Sequence, residues 1–215
     1  METKDKLSAL VINGAQIISS MLPNPIGAVF NALLNDIKDS IYQKRLEKWQ
    51  SIVIERLSHL ENELDSIVNN EIFATAILKT SQMAIQTQSD DKMRVLANAL
   101  FNTYSNDIKE DELIIFLHLV DKYTCTHIKV LKYFCDDYET DHSLDNYNPT
   151  IIVKIKMHFT DLDSSYLKKI INDLQNDYLV ERFNENAPAL WFGKGTSLVT
   201  KLGIEFYNFI KDSQD

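Results

Sequence analysis

The chain has 215 residues, 45% of them hydrophobic, with only 5 Gly and 4 Pro. It is too apolar to be disordered, and so few turn formers point to long helices joined by short connections. A net charge of −9 opposes non-specific binding to polyanions, which needs clustered cations, while leaving room for a local basic patch.

The first expected helix runs from Lys6 to Leu22. Leu7, Leu10, Val11, Ile17, Ile18, Met21 and Leu22 recur mostly at three- and four-residue steps. It opens an uncharged stretch, Leu7 to Asn35, "LSALVINGAQIISSMLPNPIGAVFNALLN". A bilayer-spanning helix needs about 20 apolar residues. Here Ser8, Asn13, Gln16, Ser19 and Ser20 interrupt the run and "PNP" ends it. The stretch is therefore expected to be packed, inside this chain or against another, with conditional membrane action at residues 7–35 as a lesser alternative.

Asn24 reads as an N-cap and Pro25 as the first position of a second helix. From Pro25 to about Val68 no breaker but Gly27 occurs, and apolar residues keep helical spacing. The pattern predicts one very long helix of roughly 40 residues, about 60 Å at 1.5 Å per residue. Its stripe and that of the first helix need partners, so Leu10, Ile17, Phe30, Leu46, Trp49 and Leu57 are candidate interface residues for self-association.

Three amphipathic helices are expected next, Glu71 to Gln88, Asp90 to Ser105, and one ending near Lys122. Ser89 with Asp90 and Asp91 supplies a cap and favourable charge, and Asp107 with Glu110 has capping-box spacing. Residues 1–121 thus read as a helical bundle. The segment "AILKTSQMAIQTQSDDKMRVLANALFNTY" resembles that of small, uncharacterised bacterial helical proteins with a winged-helix tail; no activity comes with the resemblance.

Residues 122–215 change character. Thr126 can cap a helix through "HIKVLKYFC", and an acidic loop "DDYETDHSLDNYN" follows. Asn148-Pro149 leads into "TIIVKIKMHF", and Thr160 to Asp163 open "SSYLKKIINDLQND". Short runs "YLVERF" and "ALWF…SLVT" lie around the turn signals "NENAP" and "GKG", and Thr200 caps a last helix. Helix, helix, helix, hairpin, helix resembles the winged helix-turn-helix fold over Lys122 to Ser213. The chain departs from that pattern at Asp177-Tyr178, where many members have Gly, and in its long acidic loop. The expected fold is therefore mainly α: an N-terminal bundle with one very long helix and a C-terminal winged helix with a small β-hairpin.

What the resemblance implies is a third helix in the DNA major groove with a wing against phosphates. The residues at matching places are Ser164, Ser165, Lys168, Lys169, Asn172 and Gln175, with Lys154 and Lys156 on the second helix and Lys194 at the wing. The same residues equally suit a solvated helix face. Residues 151–215 hold 8 Lys and Arg against 9 Asp and Glu, whereas DNA-binding modules are usually basic. Protein contact is the leading expectation and DNA binding the alternative.

Enzymatic and metal signatures are wanting. The acidic loop lacks the Gly and Glu positions of a calcium loop. His59, His118, His127, His142 and His158 form no zinc motif, and His118 within "IIFLHLV" reads as a core or boundary residue. "GKGTS" lacks the upstream Gly and the Ser or Thr directly after Lys that a phosphate loop needs. A non-enzymatic protein without cofactor or metal is expected. Cys125 and Cys135, with no secretory signal, point to the cytoplasm. On one helix these cysteines would stand about 15 Å apart, too far for a bridge.

Overall fold

In the computed structural model the described residues are 22, 24–37, 39–60, 66–67, 69–105, 108–138, 149–184, 186–189 and 197–212. They form helices α1 (Ile26–Asp36), α2 (Ser40–Ser58), α3 (Glu71–Gln86), α4 (Asp90–Ser105), α5 (Glu110–Lys122), α6 (Cys125–Lys132), α7 (Ile151–His158), α8 (Ser164–Asn176) and α9 (Lys201–Ile210), with a π-helical turn at Tyr133–Asp137. Two compact units divide the chain: Met1–Lys122 with Phe209–Asp215, and Tyr123–Asn208.

In the first unit, α3 lies against α1, α2, α4 and α5. Its Phe73, Ala76, Ile77 and Ala84 meet a core that includes Leu46, Trp49, Val53 and Leu57 of α2 and Met93, Leu96 and Leu100 of α4, all buried. The helical period places each set on one side of its helix. Burying a large side chain such as these contributes about 1.5–3 kcal/mol. Several of the polar groups left inside are paired with one another or with backbone, as burial favours. The Trp49 indole N–H donates to Ser81 Oγ at 2.9 Å. Arg45 Nη1 donates to the carbonyls of Ile85 and Gln86 at 3.2 and 3.3 Å, satisfying the end of α3. Asn98 Nδ2 donates to Ile210 O, and Asn102 Nδ2 to Phe209 O and Lys211 O, at 2.9–3.0 Å, so two buried amides receive the last turn of α9.

The single long helix expected over 25–68 is not formed. The chain leaves the helix at Ile37, with φ −85° and ψ 112°, and starts again at Ser40. Asp39 is the cause: in extended conformation its carboxylate accepts from Ile41 N–H at 2.7 Å. A short acidic side chain that bonds a nearby backbone N–H favours a cap over a helix interior. The second piece ends at Ser58, where His59 and Leu60 N–H turn to carbonyls three residues back. Pro25, not Asn24, occupies the cap position of α1, and no side chain caps that end.

The second unit holds α6, the π turn, α7, α8 and most of α9. Thr124, rather than Thr126, caps α6, its Oγ1 accepting from His127 N–H. The π turn closes with Tyr138 N–H to Tyr133 O at 2.8 Å and gathers Tyr133, Phe134, Tyr138, His158 and Phe159 into one aromatic cluster.

The winged-helix expectation is also overturned: among the described residues no β-strand occurs, and pairing is limited to isolated antiparallel bridges, Thr150 with Pro188 and Val180 with Val199. The backbone groups expected to build a ladder are occupied elsewhere. Leu179 and Val180 N–H both donate to Leu174 O at the end of α8. Gln175 Nε2 takes the Glu181 carbonyl at 3.0 Å, and Thr200 Oγ1 donates to Tyr178 O at 2.5 Å. Among the described residues, Glu181 N–H to Leu198 O and Thr200 N–H to Leu179 O are the backbone bonds that remain across the two segments. Gly203 lets α9 meet the same turn closely: a Cβ there would overlap the Leu179 carbonyl oxygen and come within 2.8 Å of Val199 Cγ1.

Candidate functional site

Helices α7 and α8 build the candidate site. In α8, Leu167, Ile170, Ile171 and Leu174 recur at three- and four-residue steps and are buried. Asp163 starts the helix, its Oδ1 accepting from Ser165 N–H at 2.8 Å and Tyr166 N–H at 3.2 Å. Those N–H groups hold its carboxyl below the usual carboxylate range. In α7, Ile151, Lys154 and Ile155 point inward. Ile152, Val153, Lys156 and Met157 fall on the other side, four residues apart in two rows.

Between these faces lies a groove of about 270 Å³, lined by Ile152, Val153, Met157 and Leu167 with Lys156, Ser164 and Lys168. A second cleft of about 130 Å³ continues it, lined by Ile152, Lys168, Ile171, Asn172, Gln175 and Phe183. Ile152 and Lys168 belong to both. Val153 is 44% exposed and Met157 55% exposed, so the groove is bordered by apolar surface that this chain leaves in water.

Five of the residues singled out for nucleic-acid contact, Lys156, Ser164, Lys168, Asn172 and Gln175, are thereby brought together. Several are already engaged. Lys156 Nζ donates to the carbonyls of Thr160 and Leu162, and Gln175 Nε2 to Glu181 O. Ser165 and Lys169 lie exposed on α8 outside these clefts, and Lys169 Nζ pairs with Asp173. Lys154 is buried, only 8% exposed; its Nζ donates to Tyr138 O at 2.8 Å and stands 4.4 Å from the Tyr138 ring centre. Burial pushes the Tyr138 hydroxyl up to about 12. Lys194 lies outside the described residues, as do Leu10 and Ile17. Phe30, Leu46, Trp49 and Leu57 are buried within their own unit and covered by this chain.

Sequence reasoning passed over Val153 and Met157, though a signal was present. Five of the eight residues in "IIVKIKMH" are apolar, more than one face of a two-turn helix can bury. His118, expected in a core or at its boundary, is exposed on α5.

Two other clusters are closed upon themselves. His127 stacks on Tyr123 with ring centres 5.0 Å apart. Its Nε2 lies 3.3 Å from Asp173 Oδ2 and its Nδ1 2.8 Å from Thr124 Oγ1, while Tyr123 O–H donates to Asp177 at 2.5 Å. Burial, then the Asp177 bond, raises the Tyr123 hydroxyl far above its ordinary value. Burial alone would raise Asp173, but hydrogen bonds from Lys169 and His127 and their charges hold it below the usual carboxylate range. In the first unit a larger cleft of about 510 Å³ is lined by Lys48, Glu55, Arg56, His59, Asp90, Arg94 and Asp212 among others. Its charges match one another: Lys48 with Asp90 at 2.5 Å, Arg56 with Asp212 at 3.5 Å, and Arg94 with neighbouring Asp91 at 3.9 Å. Among the described residues no cluster of three or more His, Cys, Asp or Glu could hold a metal ion.

No protein-family model, curated protein or solved structure matches the chain, so the family resemblance read from Ala76 to Tyr104 has no match behind it.

Proposed function

We propose that this chain is a non-enzymatic protein that works by binding another protein, with the α7–α8 groove as the docking surface. The observation that carries the reading is the exposed apolar border of Val153 and Met157 around a groove floored by Leu167. Covering two such half-exposed side chains contributes roughly 1 kcal/mol each. Lys156 and Lys168 at the rim select a partner whose apolar anchor is flanked by carboxylates.

The test is selection from a random peptide library against the full chain. Peptides carrying a large apolar residue beside Asp or Glu should be enriched and should lose binding to Met157→Asp. Enrichment that ignores Met157 sinks the reading.

A second reading, duplex DNA binding, draws on the exposed run Ser165, Lys168, Lys169 and Asn172 along α8. It requires affinity that falls steeply with salt and is lost in Lys168→Glu with Lys169→Glu. The charge of −9 weighs against it. A third reading, membrane action through residues 7–35, requires liposome leakage that disappears on deleting that segment. Among the described residues no helix is long and apolar enough to cross a membrane.

A further inference from the structure

We infer that the occupant of the α7–α8 groove is helix α5 of a second copy of this chain, an inference that rests on the groove being a protein-docking surface. Helix α5 buries Leu113, Phe116, Leu117 and Val120 on one side. On the other side Asp111, Ile114, Ile115 and His118 follow at helical spacing and are all exposed, Ile114 at 43% and Ile115 at 53%. Glu110 and Asp121, also exposed, extend the acidic border, and exposed Lys122 closes its C-terminal end. The stripe is thus two adjacent isoleucines framed by carboxylates, roughly 15 Å long at 1.5 Å per residue.

The groove has the opposite chemistry. Its apolar floor and border, Ile152, Val153, Met157 and Leu167, are flanked by Lys156 and Lys168. Opposite rim charges around apolar centres fix both partner and register. Other exposed apolar residues fit less well. Ile41 and Tyr42 also sit side by side, but Lys44 and Arg45 stand one turn on, with Arg45 over the Tyr42 ring. That patch would put cations against the groove's own lysines.

Stripe and groove are different surfaces, so the contact between copies is heterologous. Such contacts close either reciprocally, as a two-fold pair in which each copy gives its stripe and its groove, or by continuing into a ring or an open chain.

Sedimentation of the full chain decides this. Wild type should show a mass that rises to the dimer or beyond as concentration rises to ~100 μM. Ile115→Asp and Met157→Asp should each be monomeric, because each has lost one surface. Mixed in equal amounts they should form a one-to-one dimer and nothing larger, since one supplies an intact groove and the other an intact stripe. Lys168→Glu should weaken wild-type assembly about tenfold. Circular dichroism checks that every variant is folded, and Ile115→Ser with Met157→Ser serve if an aspartate variant is not. A monomeric wild type overturns the inference, and so does a mixture of folded variants that stays monomeric. A single variant that still dimerises overturns it too, by showing one self-complementary surface. A monomeric wild type that nonetheless binds Met157-dependent acidic peptides overturns self-docking alone and leaves the groove as a site for a foreign protein.

Discussion

The 510 Å³ cleft of the first unit and the 270 Å³ groove of the second differ in what they leave unfinished. In the larger cleft Lys48, Arg56 and Arg94 each face a carboxylate of the same unit. These pairs are largely exposed and each is worth little, but a ligand there would compete with charges already matched. In the smaller groove Val153 and Met157 of α7 stand in water, and covering them gains free energy. Volume alone would choose the other one.

The contrast between self-satisfied and unsatisfied surface can be broken most severely at Trp49. It is fully buried, and its indole N–H has a partner in Ser81. Trp49→Ala should destabilise the protein by about 4 kcal/mol, from lost burial and the cavity left behind. Chemical denaturation measures it. A loss below about 1 kcal/mol would mean Trp49 faces a partner chain and not this one.

Gly203→Ala should follow at about 3 kcal/mol, because the new Cβ meets the Leu179 carbonyl, a backbone atom that cannot rotate away. Replacing the same glycine with Ser should be at least as harmful. A neutral Ala variant would mean α9 does not sit against that turn.

A smaller effect comes from Asp173, held below the usual carboxylate range in the folded chain despite its burial. In the unfolded chain its carboxyl titrates near 3.9. Between its two values the unfolded state binds more protons, so stability rises with pH there. The contribution is fully present above about pH 4 and is lost as pH falls through the folded value. Asp173→Asn should therefore be less stable than wild type at pH 6, and the gap should close on acidification. Urea midpoints at pH 6, 4 and 3 report it. A gap that widens at low pH would assign the opposite sign to the site.

Much of the first unit was legible. Helices α3, α4 and α5 begin and end close to where caps and periodicity put them, because Asn70, Ser89 and the acidic first turns act locally. The break at Asp39 was missed for the same kind of reason: a lone Asp before Ser is a weak mark beside a long run of well-spaced apolar residues, and only the 2.7 Å bond to Ile41 shows which signal prevails. The hairpin misled because β-run patterns were read without asking which backbone groups were already taken. Gln175 and Thr200 take two of the carbonyls a ladder would have used. Of the groove's residues, the polar ones stand out in the sequence, as candidates for nucleic-acid contact, and the apolar ones do not. Lysines on an exposed helix face announce themselves, whereas excess apolar residues in a short helix look like core until the neighbours are counted.

That last point yields the smallest predicted effect on stability and the sharpest test of the comparison. Val153 and Met157 already stand about half in water. Replacing either with Asp removes little buried area, and substitutions at such positions usually shift stability by less than about 0.5 kcal/mol. Met157→Asp should melt within about 1 °C or 2 °C of wild type, yet abolish peptide capture and assembly. Leu167→Asp, which puts a charge on the buried floor of the same groove, should instead lower stability by several kcal/mol. If Met157→Asp were as destabilising as Leu167→Asp, Met157 would be core, and the second unit would be as closed upon itself as the first.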